Sequence, residues 1–378
     1  MLNNIIYLDY NATTPVNPSV LEKMLPFFST SFGNASSIHS AGWQAAEAVK
    51  IARENIGAAL QTETDEIYFT SGATESINLA IRGISEAYVA KGKHIISYST
   101  EHRAVLDTLE DLQLKGMDIT LLPVDGNGLP DLRQLENALR EDTILVIAML
   151  ANNETGVIFP IHKMAEIAHQ KGAIFFCDAT QAFGKIPISV KELNVDALAI
   201  SAHKVYGPKG VGALYLRRKN PRVTVIPQLT GGGHEKGKRS GTLNVPGIVG
   251  LGEVALLSET FTSRYKQQVI PLRDYFEKEI QSWDGITIHS LETNRLPNTS
   301  NFRIKGKKAD MLLASISKLA CSTGSACSAA LPEPSHVLKA MGITEEEAYS
   351  AIRISLGIDT TKAEIDAALE LIKSKLLV

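Results

Sequence analysis

The sequence of 378 residues has only three cysteines, little net charge and no long apolar run. The cysteines, Cys177, Cys321 and Cys327, form no disulfide framework, which predicts a reducing compartment. A net charge of -3 argues against a general affinity for nucleic acid or acidic membranes. The longest clear apolar run, residues 144–150, is far too short to span a bilayer.

Signals for metal binding and for secretion are also missing. The nine histidines include no His-Glu-x-x-His pairing, and the five-residue gap between Cys321 and Cys327 is not a typical zinc-ligand spacing. Residues 1–5 lack the cationic start and the long apolar core of a secretory signal. With 44% hydrophobic and 21% charged residues, the composition is that of an ordinary globular protein. We therefore predict a soluble, cytoplasmic protein without a metal site.

Strand and helix patterns alternate through the first two thirds of the sequence. Strands are predicted at residues 66–70, 94–97, 118–122, 143–149, 173–176, 197–200 and 211–216. Helical spacing is found at residues 43–60, 71–83, 105–114, 132–139 and 164–169. This alternation predicts an α/β fold with a mostly parallel sheet between two layers of helices, in which ligands bind at the carboxyl ends of the strands.

The pattern changes near residue 250. Helices are predicted at residues 250–257, 261–280, 309–318, 334–341, 345–349 and 362–377, and strands at residues 285–289, 301–304 and 351–355. We therefore predict a large domain at residues 16–255 and a smaller α+β domain made of residues 1–15 and 256–378. The small domain would carry a cysteine-containing loop at about residues 319–332.

Lys204 lies in a polar turn between two apolar runs, within the segment Ser-Ala-His-Lys-Val-Tyr-Gly-Pro-Lys-Gly-Val-Gly at residues 201–212. Lysine forms a Schiff base with aldehydes, and pyridoxal phosphate (PLP) is the common aldehyde cofactor. A single lysine in a Gly/Pro loop is more often simply solvated. The PLP interpretation therefore depends on what the other strand ends supply.

Two other strand ends supply groups that PLP requires. Residues 70–75 (Thr-Ser-Gly-Ala-Thr-Glu) follow a strand and open a helix, whose free N–H groups suit a phosphate, and Thr74 adds a hydroxyl. Asp178 ends an apolar run, where its carboxylate can keep a pyridine nitrogen protonated, and Gln181 could donate to the phenolic oxygen of the ring. The alternatives are ordinary helix capping for Thr74 and Asp178 and a solvated loop position for Gln181.

His102 and Asn153 also follow predicted strands. His102 could lie on the cofactor ring and move protons, and Asn153 could reach the substrate or the ring. Local hydrogen bonding and turn formation are the respective alternatives. Five residues with different predicted roles are expected at one edge of one sheet. Together they support a PLP site much more strongly than any one of them does alone.

Several motifs together resemble the NifS/IscS-type cysteine desulfurases. They are residues 7–15, 70–75, 100–102, 201–204 with 207–210, 239–242 and 322–327. The resemblance covers nearly the whole chain in order. It implies the fold-type I PLP architecture with a mostly parallel seven-stranded sheet, a homodimer, and conversion of L-cysteine to L-alanine with a persulfide left on the enzyme.

The resemblance also implies roles for individual residues. Lys204 corresponds to the Schiff-base lysine, His102 to the histidine stacked on the ring, Asp178 to the partner of the pyridine nitrogen, and Gln181 to the residue near the phenolic oxygen. The remaining cofactor residues are phosphate ligands, namely Thr74, Ser201, His203 and, from the neighbouring subunit, Thr242.

The substrate and the sulfur are assigned to three further positions. Asn153 and Arg353 match groups that hold the substrate carboxylate, and a guanidinium suits this role because it donates two parallel hydrogen bonds. Cys327 ends a Ser/Gly-rich run, and a mobile loop suits a thiolate that must attack the substrate sulfur and then reach a partner. Cys321 is the rival nucleophile, but it precedes the motif and is expected to end the preceding helix or strand.

The sequence leaves the acceptor and two alternative functions open. The resemblance implies transfer of sulfur to an acceptor protein, whether an iron–sulfur cluster assembly scaffold, a tRNA-thiolation enzyme or the DNA-phosphorothioation machinery. One alternative is selenocysteine lysis or another class V PLP reaction, and the Ser-Gly-Ser-Ala-Cys loop tells against it. The other is a non-catalytic dimeric adaptor for sulfur relay, against which the intact Lys204, Asp178 and Cys327 argue.

Overall fold

A computed structural model describes residues 5–323 and 333–376. The strands in these ranges are β1 (Ile6–Tyr7), β2 (Ile67–Thr70), β3 (His94–Tyr98), β4 (Asp118–Leu122), β5 (Thr143–Met149), β6 (Ile174–Asp178), β7 (Ala197–Ser201), β8 (Gly212–Leu216), β9 (Ile286–Ile288), β10 (Thr299–Ile304), β11 (Leu319–Ala320), β12 (Ser322–Thr323) and β13 (Ala351–Ser355). The α-helices are α1 (Pro18–Met24), α2 (Pro26–Ser29), α3 (Ser40–Leu60), α4 (Ala73–Tyr88), α5 (Arg103–Leu114), α6 (Leu132–Ala138), α7 (Ile161–Gln170), α8 (Val190–Leu193), α9 (Val245–Arg264), α10 (Ile270–Gln281), α11 (Ala309–Ala314), α12 (His336–Ala340), α13 (Glu345–Ala348) and α14 (Lys362–Leu376).

The centre of the fold is a seven-stranded sheet in the order β2-β8-β7-β6-β5-β3-β4. Strand β8 runs antiparallel to both of its neighbours, and the other pairs are parallel. The prediction of a mostly parallel α/β sheet is confirmed. Its parallel strands bring their carboxyl ends to one edge, where ligands bind in folds of this kind.

Each central strand sends alternate side chains to opposite faces of the sheet, as the two-residue strand repeat requires. Phe175 packs in the core that includes helices α3 and α9, whereas Phe176 packs with residues of α4 and α5 on the other face. All residues of β5, β6 and β7 are buried. Burial on both faces explains why these strands are continuous apolar runs in the sequence.

A second, four-stranded antiparallel sheet has the order β12-β13-β10-β9. The N-terminal strand β1 pairs in parallel with β11, and Asp9 forms a bridge with Ser355 at the end of β13. The first residues of the chain therefore pack against its last third. The division into domains at residue 255 stays a prediction, and helix α9 runs through that position.

One prediction about the helices is wrong. Residues 250–257 and 261–280 were expected to form two helices, but α9 continues to Arg264, and a π-helical turn at Tyr265–Val269 leads into α10. Glu259 and Thr260, which lie between the two predicted helices, are exposed on α9. Among the described residues no helix, α9 included, is both long and apolar enough to cross a membrane.

Candidate active site

A cavity of about 650 Å³ lies at the carboxyl ends of the parallel strands. Its volume is in the range of pockets that bind cofactors and small substrates. The segments after β2, β3, β5, β6 and β7 all contribute to its wall. Nine of the predicted site residues line it, namely Thr74, His102, Asn153, Asp178, Gln181, Ser201, His203, Lys204 and Arg353.

Lys204 enters this cavity from a short 3-10 turn, Ala202–Lys204, that directly follows β7. Its Nζ donates hydrogen bonds to the main-chain oxygens of Asn11, at 2.7 Å, and Ala12, at 2.8 Å. The N-terminal segment therefore holds the amine at a defined place in the cavity. The half-buried side chain remains accessible to a molecule bound there.

One end of the cavity offers hydrogen-bond donors. Helix α4 begins at Ala73 after Gly72, and no described side chain caps its first turn. Gly72 has a φ of +151°, a conformation that side chains disfavour, and a Cβ built there would lie 3.9 Å from Ser201 Oγ. The free N–H groups of a 16-residue helix and a nearby hydroxyl form a suitable site for a phosphate.

His203 lies near this end as a neutral group. Burial, together with the positive charges of Lys204 and Lys209, lowers its pKa to about 4. Its Nδ1 lies 3.2 Å from Thr13 Oγ1. His203 can therefore contribute a hydrogen bond to an anion at neutral pH but no charge.

The other end of the cavity contains Asp178 and His102. Asp178 is buried at the end of β6, and its Oδ1 accepts a hydrogen bond from the Thr180 N–H at 2.9 Å. His102 caps α5, and its Nδ1 accepts a hydrogen bond from the Ala104 N–H at 3.0 Å, so the neutral ring carries its proton on Nε2. Burial lowers the pKa of His102, the charge of Lys204 adds to this, and Asp178 opposes it. His102 is thus a neutral ring close to both charges.

Gln181 is connected to two residues whose roles the sequence did not suggest, Asn11 and Lys185. Gln181 Nε2 donates to the Asn11 main-chain oxygen at 2.9 Å, and Gln181 Oε1 accepts from Lys185 Nζ at 2.8 Å. Asn11 lies inside the motif at residues 7–15, which resembled the family without indicating a role for it. The signal for Lys185 was a lysine within the mostly apolar stretch that follows Gln181, a pattern typical of a buried position.

Arg353 reaches the cavity from β13 of the second sheet. Its Nη2 donates to Asp9 Oδ1 at 2.7 Å and its Nη1 to the main-chain oxygen of Asn153 at 3.0 Å. Its Nε is buried and has no hydrogen-bond partner among the described residues. A buried donor of this kind is costly unless a ligand satisfies it. Asn153 therefore contacts Arg353 through its main chain while also lining the cavity.

Both cysteines among the described residues have a thiol pKa above the usual range. Burial raises the pKa of the Cys321 thiol to about 12, Asp9 adds to the effect and Arg353 opposes it, which makes Cys321 a poor nucleophile. Cys177 is fully buried behind Asp178, and burial raises the pKa of its thiol well above the usual range. Cys327 lies outside the described residues. The predicted position of Cys321 is confirmed, since it directly follows β11.

The sequence suggested no role for two glutamates at or beside this site. Glu154 is buried and accepts a hydrogen bond from Ser335, the N-cap of α12, and it lines the cavity. Glu101 is buried beside Asp178, and burial raises the pKa of its carboxyl well above the usual range. Thr242 is exposed and is not among the described residues that line the cavity of its own chain.

The residues of the cavity fit PLP. Free helix N–H groups and Ser201 are placed for a phosphate, while the carboxylate of Asp178 suits a pyridinium nitrogen. The amine of Lys204, which reacts with an aldehyde, lies in the same cavity. The guanidinium of Arg353, which also lines the cavity, suits a carboxylate, which the substrate would bring.

Comparison with known proteins shows similarity over nearly the whole chain. Residues 6–368 match the family described as Aminotransferase class-V. The chain is 48% identical over 372 residues to a protein named cysteine desulfurase IscS from Anaeromyxobacter dehalogenans (strain 2CP-C), an alignment that covers 98% of this chain and 92% of the relative.

Two solved structures have the same fold. One, described as a NifS-like protein, has a TM-score of 0.92 and 38% identity and covers 98% of this chain and 99% of its own. The other, described as SspA in complex with cysteine, has a TM-score of 0.82 and 38% identity and covers 94% of this chain and 99% of its own.

Proposed function

Because this chain belongs to the class V aminotransferase family, we propose that it is a cysteine desulfurase in which Lys204 holds PLP and Cys327 accepts the sulfur of L-cysteine. The chain is an enzyme of the fold-type I class, and PLP is its cofactor. The observation that carries the proposed roles is the convergence of Lys204, Asp178, His102 and Arg353 on one cavity. Together they supply a reactive amine, a carboxylate, a proton carrier and a site for a carboxylate.

The cavity would hold the cofactor at both ends and through the lysine. Thr74, Ser201 and His203 would bind its phosphate together with the first turn of α4, and Asp178 would pair with its pyridine nitrogen. When bound, PLP withdraws electrons from the α-carbon of an amino acid and so makes a proton there acidic. Gln181 would donate from Nε2 to the phenolic oxygen, because its Oε1 already accepts from Lys185.

Proton transfers fall to two groups in the cavity. Once the amine of the substrate has displaced Lys204 Nζ from the cofactor, Nζ would be the base that removes the proton from the substrate α-carbon, and the main-chain oxygens of Asn11 and Ala12 hold it in the cavity. His102 carries a proton on Nε2, since its Nδ1 is occupied by the Ala104 N–H. It can therefore donate a hydrogen bond from Nε2, and it transfers a proton only after gaining one.

Arg353 and Asn153 orient the substrate. Asp9 and the main chain of Asn153 hold the two Nη atoms of the guanidinium, and Arg353 lines the cavity. The positive charge of the guanidinium would attract a substrate carboxylate bound there. The preformed arrangement lowers the entropy that binding would otherwise cost.

Sulfur transfer follows from thiol chemistry. The Cys327 thiolate attacks the sulfur of the substrate, an S–S bond forms as the substrate C–S bond breaks, and the electron pair of that bond remains with the β-carbon. Protonation of that carbon and return of a proton to the α-carbon yield L-alanine. The β-carbon is reduced and the two sulfurs are oxidised to a persulfide, so no external oxidant is required.

A homodimer is proposed for this enzyme. Large apolar side chains before α3 and in its first turn are exposed, including Phe32 at 76%, Ile38 at 90% and Trp43 at 63%. Exposed apolar groups clustered in this way mark interaction surfaces. A partner subunit would cover them and bring its Thr242 to the phosphate. Light scattering should give twice the chain mass, and Thr242→Ala should weaken PLP binding without changing that mass.

We also propose that the persulfide sulfur passes to a protein of iron–sulfur cluster assembly in the cytoplasm, as the family resemblance implies. Radiolabelled sulfur loaded from L-cysteine would identify the acceptor. Label on the iron–sulfur scaffold supports this proposal, whereas label on a tRNA-thiolation or a DNA-phosphorothioation protein replaces it.

The activity test measures alanine and sulfide from L-cysteine, in the presence and absence of a keto acid. Cys327→Ala should keep PLP and bind cysteine but release no sulfur, whereas Cys321→Ser should keep most of the activity because its thiol has a pKa of about 12. Activity that needs a keto acid, or that acts on selenocysteine alone, would favour the other PLP reactions. A purified protein that binds no PLP would favour the adaptor, and full turnover of Cys327→Ala would reject the assignment of the persulfide.

A further inference from the structure

Lys185 is a buried lysine beside the cofactor residues, and the proposed mechanism does not use it. Its side chain is only 1% exposed. Nζ donates hydrogen bonds to Gln181 Oε1 at 2.8 Å and to Asn11 Oδ1 at 2.9 Å. Both acceptors are neutral amide oxygens. Burying an amine without a carboxylate partner is costly, so its presence calls for a function that outweighs the cost.

The chemistry of the amine settles how two side-chain amides are oriented. A lysine Nζ donates hydrogen bonds, so the atom of Gln181 that faces it is the oxygen. Gln181 Nε2 must then face the opposite way, where it donates to the Asn11 main-chain oxygen and borders the cavity. The same reasoning directs Asn11 Nδ2 to Thr299 Oγ1, at 2.8 Å. Gln181 Nε2 also faces the Asn11 carbonyl, and Asn11 Oδ1 also accepts from Asn298 Nδ2 at 3.0 Å, so Lys185 strengthens an orientation that these bonds favour. Among the described residues, Lys185 is the one donor to Gln181 Oε1.

Asn11 connects Lys185 to the catalytic lysine. Its side-chain oxygen accepts from Lys185, while its main-chain oxygen accepts from both Lys204 and Gln181. Asn11 is 1% exposed and Gln181 is 6% exposed, so water competes little for these bonds. The position of the Lys204 amine thus depends on a segment that Lys185 holds from behind.

We propose that Lys185 is a positioning residue that holds the Gln181 amide with Nε2 towards the cofactor and fixes the Asn11 segment to which Lys204 is bonded. This inference rests on the proposed function, because Gln181 acts on the phenolic oxygen only if PLP occupies the cavity. It adds a residue that touches neither cofactor nor substrate.

The charge state of Lys185 is compatible with this role. Burial, with the positive charges of Lys204 and Arg353, lowers its pKa well below the usual range. Loss of a proton leaves two N–H groups on Nζ, which is the number of acceptors it has. The amine can therefore keep both hydrogen bonds without placing a second positive charge beside Lys204.

The test compares Lys185→Met, which has a similar length but no donor, with Lys191→Met, a matched change at an exposed lysine. The readout is the pH midpoint at which the absorbance of the bound cofactor changes in the loaded protein. Losing one donor to the phenolate should raise this midpoint by about one pH unit, because a hydrogen bond to a charged group is involved. Lys191→Met should leave it unchanged.

A double-variant comparison separates positioning from a general structural effect. Gln181→Ala should raise the midpoint as Lys185→Met does, and the double variant should raise it no further, because both changes remove the same hydrogen bond. Additive shifts, or no shift in Lys185→Met, would overturn the inference. If Lys185→Met does not fold, Lys185→Gln, which keeps an N–H donor, should retain the wild-type midpoint, and a midpoint like that of Gln181→Ala would refute the role.

The proposed function and the positioning role of Lys185 can fail separately. If the wild-type protein binds no PLP and forms no alanine from cysteine, the proposed function is wrong. The crystal structure of Lys185→Met without cofactor still tests the positioning role. It should show the Gln181 amide turned away from its wild-type place, and an unchanged amide would reject the inference.

Discussion

Glu154 is the clearest place to test how burial controls ionisation at this site. Its side chain is 3% exposed, and the Ser335 hydroxyl donates a hydrogen bond to it. Burial raises its pKa from an ordinary 4.5 to about 7, while the bond from Ser335 and the charge of Arg353 oppose the increase. Glu154 is therefore about half protonated at neutral pH. Replacement by glutamine keeps the shape and removes the ionisation.

The difference between the two pKa values predicts the size and the sign of the effect. The folded protein holds the proton of Glu154 more tightly than the unfolded chain does, so the contribution of this group to stability is lost as the pH rises from 4.5 to about 7. The full difference corresponds to about 3 kcal/mol. Relative to the wild type, Glu154→Gln should gain about 2 to 3 kcal/mol between pH 5 and pH 8.

The assay is denaturant unfolding of the loaded wild type and of Glu154→Gln at several pH values between 5 and 8. Glu110→Gln serves as the control, since Glu110 is exposed on α5 and should give a constant difference from the wild type across this range. A constant difference between Glu154→Gln and the wild type would show that Glu154 ionises with its ordinary pKa. A stability advantage of Glu154→Gln over the wild type that grows towards low pH would contradict the predicted sign.

Two further changes test a buried ion pair and the packing at the start of α4. Arg53→Ala should cost about 3–5 kcal/mol in denaturant unfolding, because Arg53 pairs with both oxygens of Glu235, at 2.9 and 2.7 Å, and its removal leaves that 2%-exposed carboxylate without a cation and with the Phe69 N–H as its remaining donor; a cost below about 1 kcal/mol would refute this. Gly212→Ala should weaken PLP binding about tenfold in an absorbance titration, because the new Cβ would lie 2.7 Å from Gly72 Cα and displace the start of α4. Gly126→Ala, with no atom closer than 3.9 Å, is its control, and equal affinities for the two variants would contradict the packing argument.

The sequence located two strands to the residue, and burial explains one of them. The predicted strands at residues 118–122 and 143–149 coincide with β4 and β5. Strand β5 is buried along its whole length and follows charged residues at 140–142, whereas four of the five residues of β4 are not buried. A continuous apolar run after charged residues is enough to locate a strand such as β5.

Helix α9 is longer than the predicted helix at residues 250–257, and one of its glycines reflects a distant contact. A Cβ at Gly252 would lie 2.5 Å from Ala52 Cα, so α3 and α9 approach each other too closely for a larger residue. Intrinsic propensity counts each glycine as unfavourable for a helix. Close packing of the two helices outweighs that penalty, and a local pattern does not contain this information.

The active site shows the same division between local and distant information. The rule that parallel strands present their carboxyl ends at one edge was sufficient to bring Thr74, His102, Asp178 and Lys204 together. It could not identify Lys185, whose partner Asn11 is 174 residues away in the sequence. The hydrogen bonds that orient the reactive groups are long-range, whereas the positions of those groups at strand ends are local.

Asn11, which follows the first strand of the chain, links that strand to the active site through hydrogen bonds. Its side-chain nitrogen donates to the Asn153 main-chain oxygen at 3.3 Å, and that oxygen also accepts from Arg353. Its own main-chain oxygen accepts from Lys204. The proposed substrate anchor and the proposed cofactor lysine are therefore bonded to one short segment, although they come from different sheets. Any motion that separates them must break the hydrogen bonds that residues 9–12 form with Arg353 and Lys204.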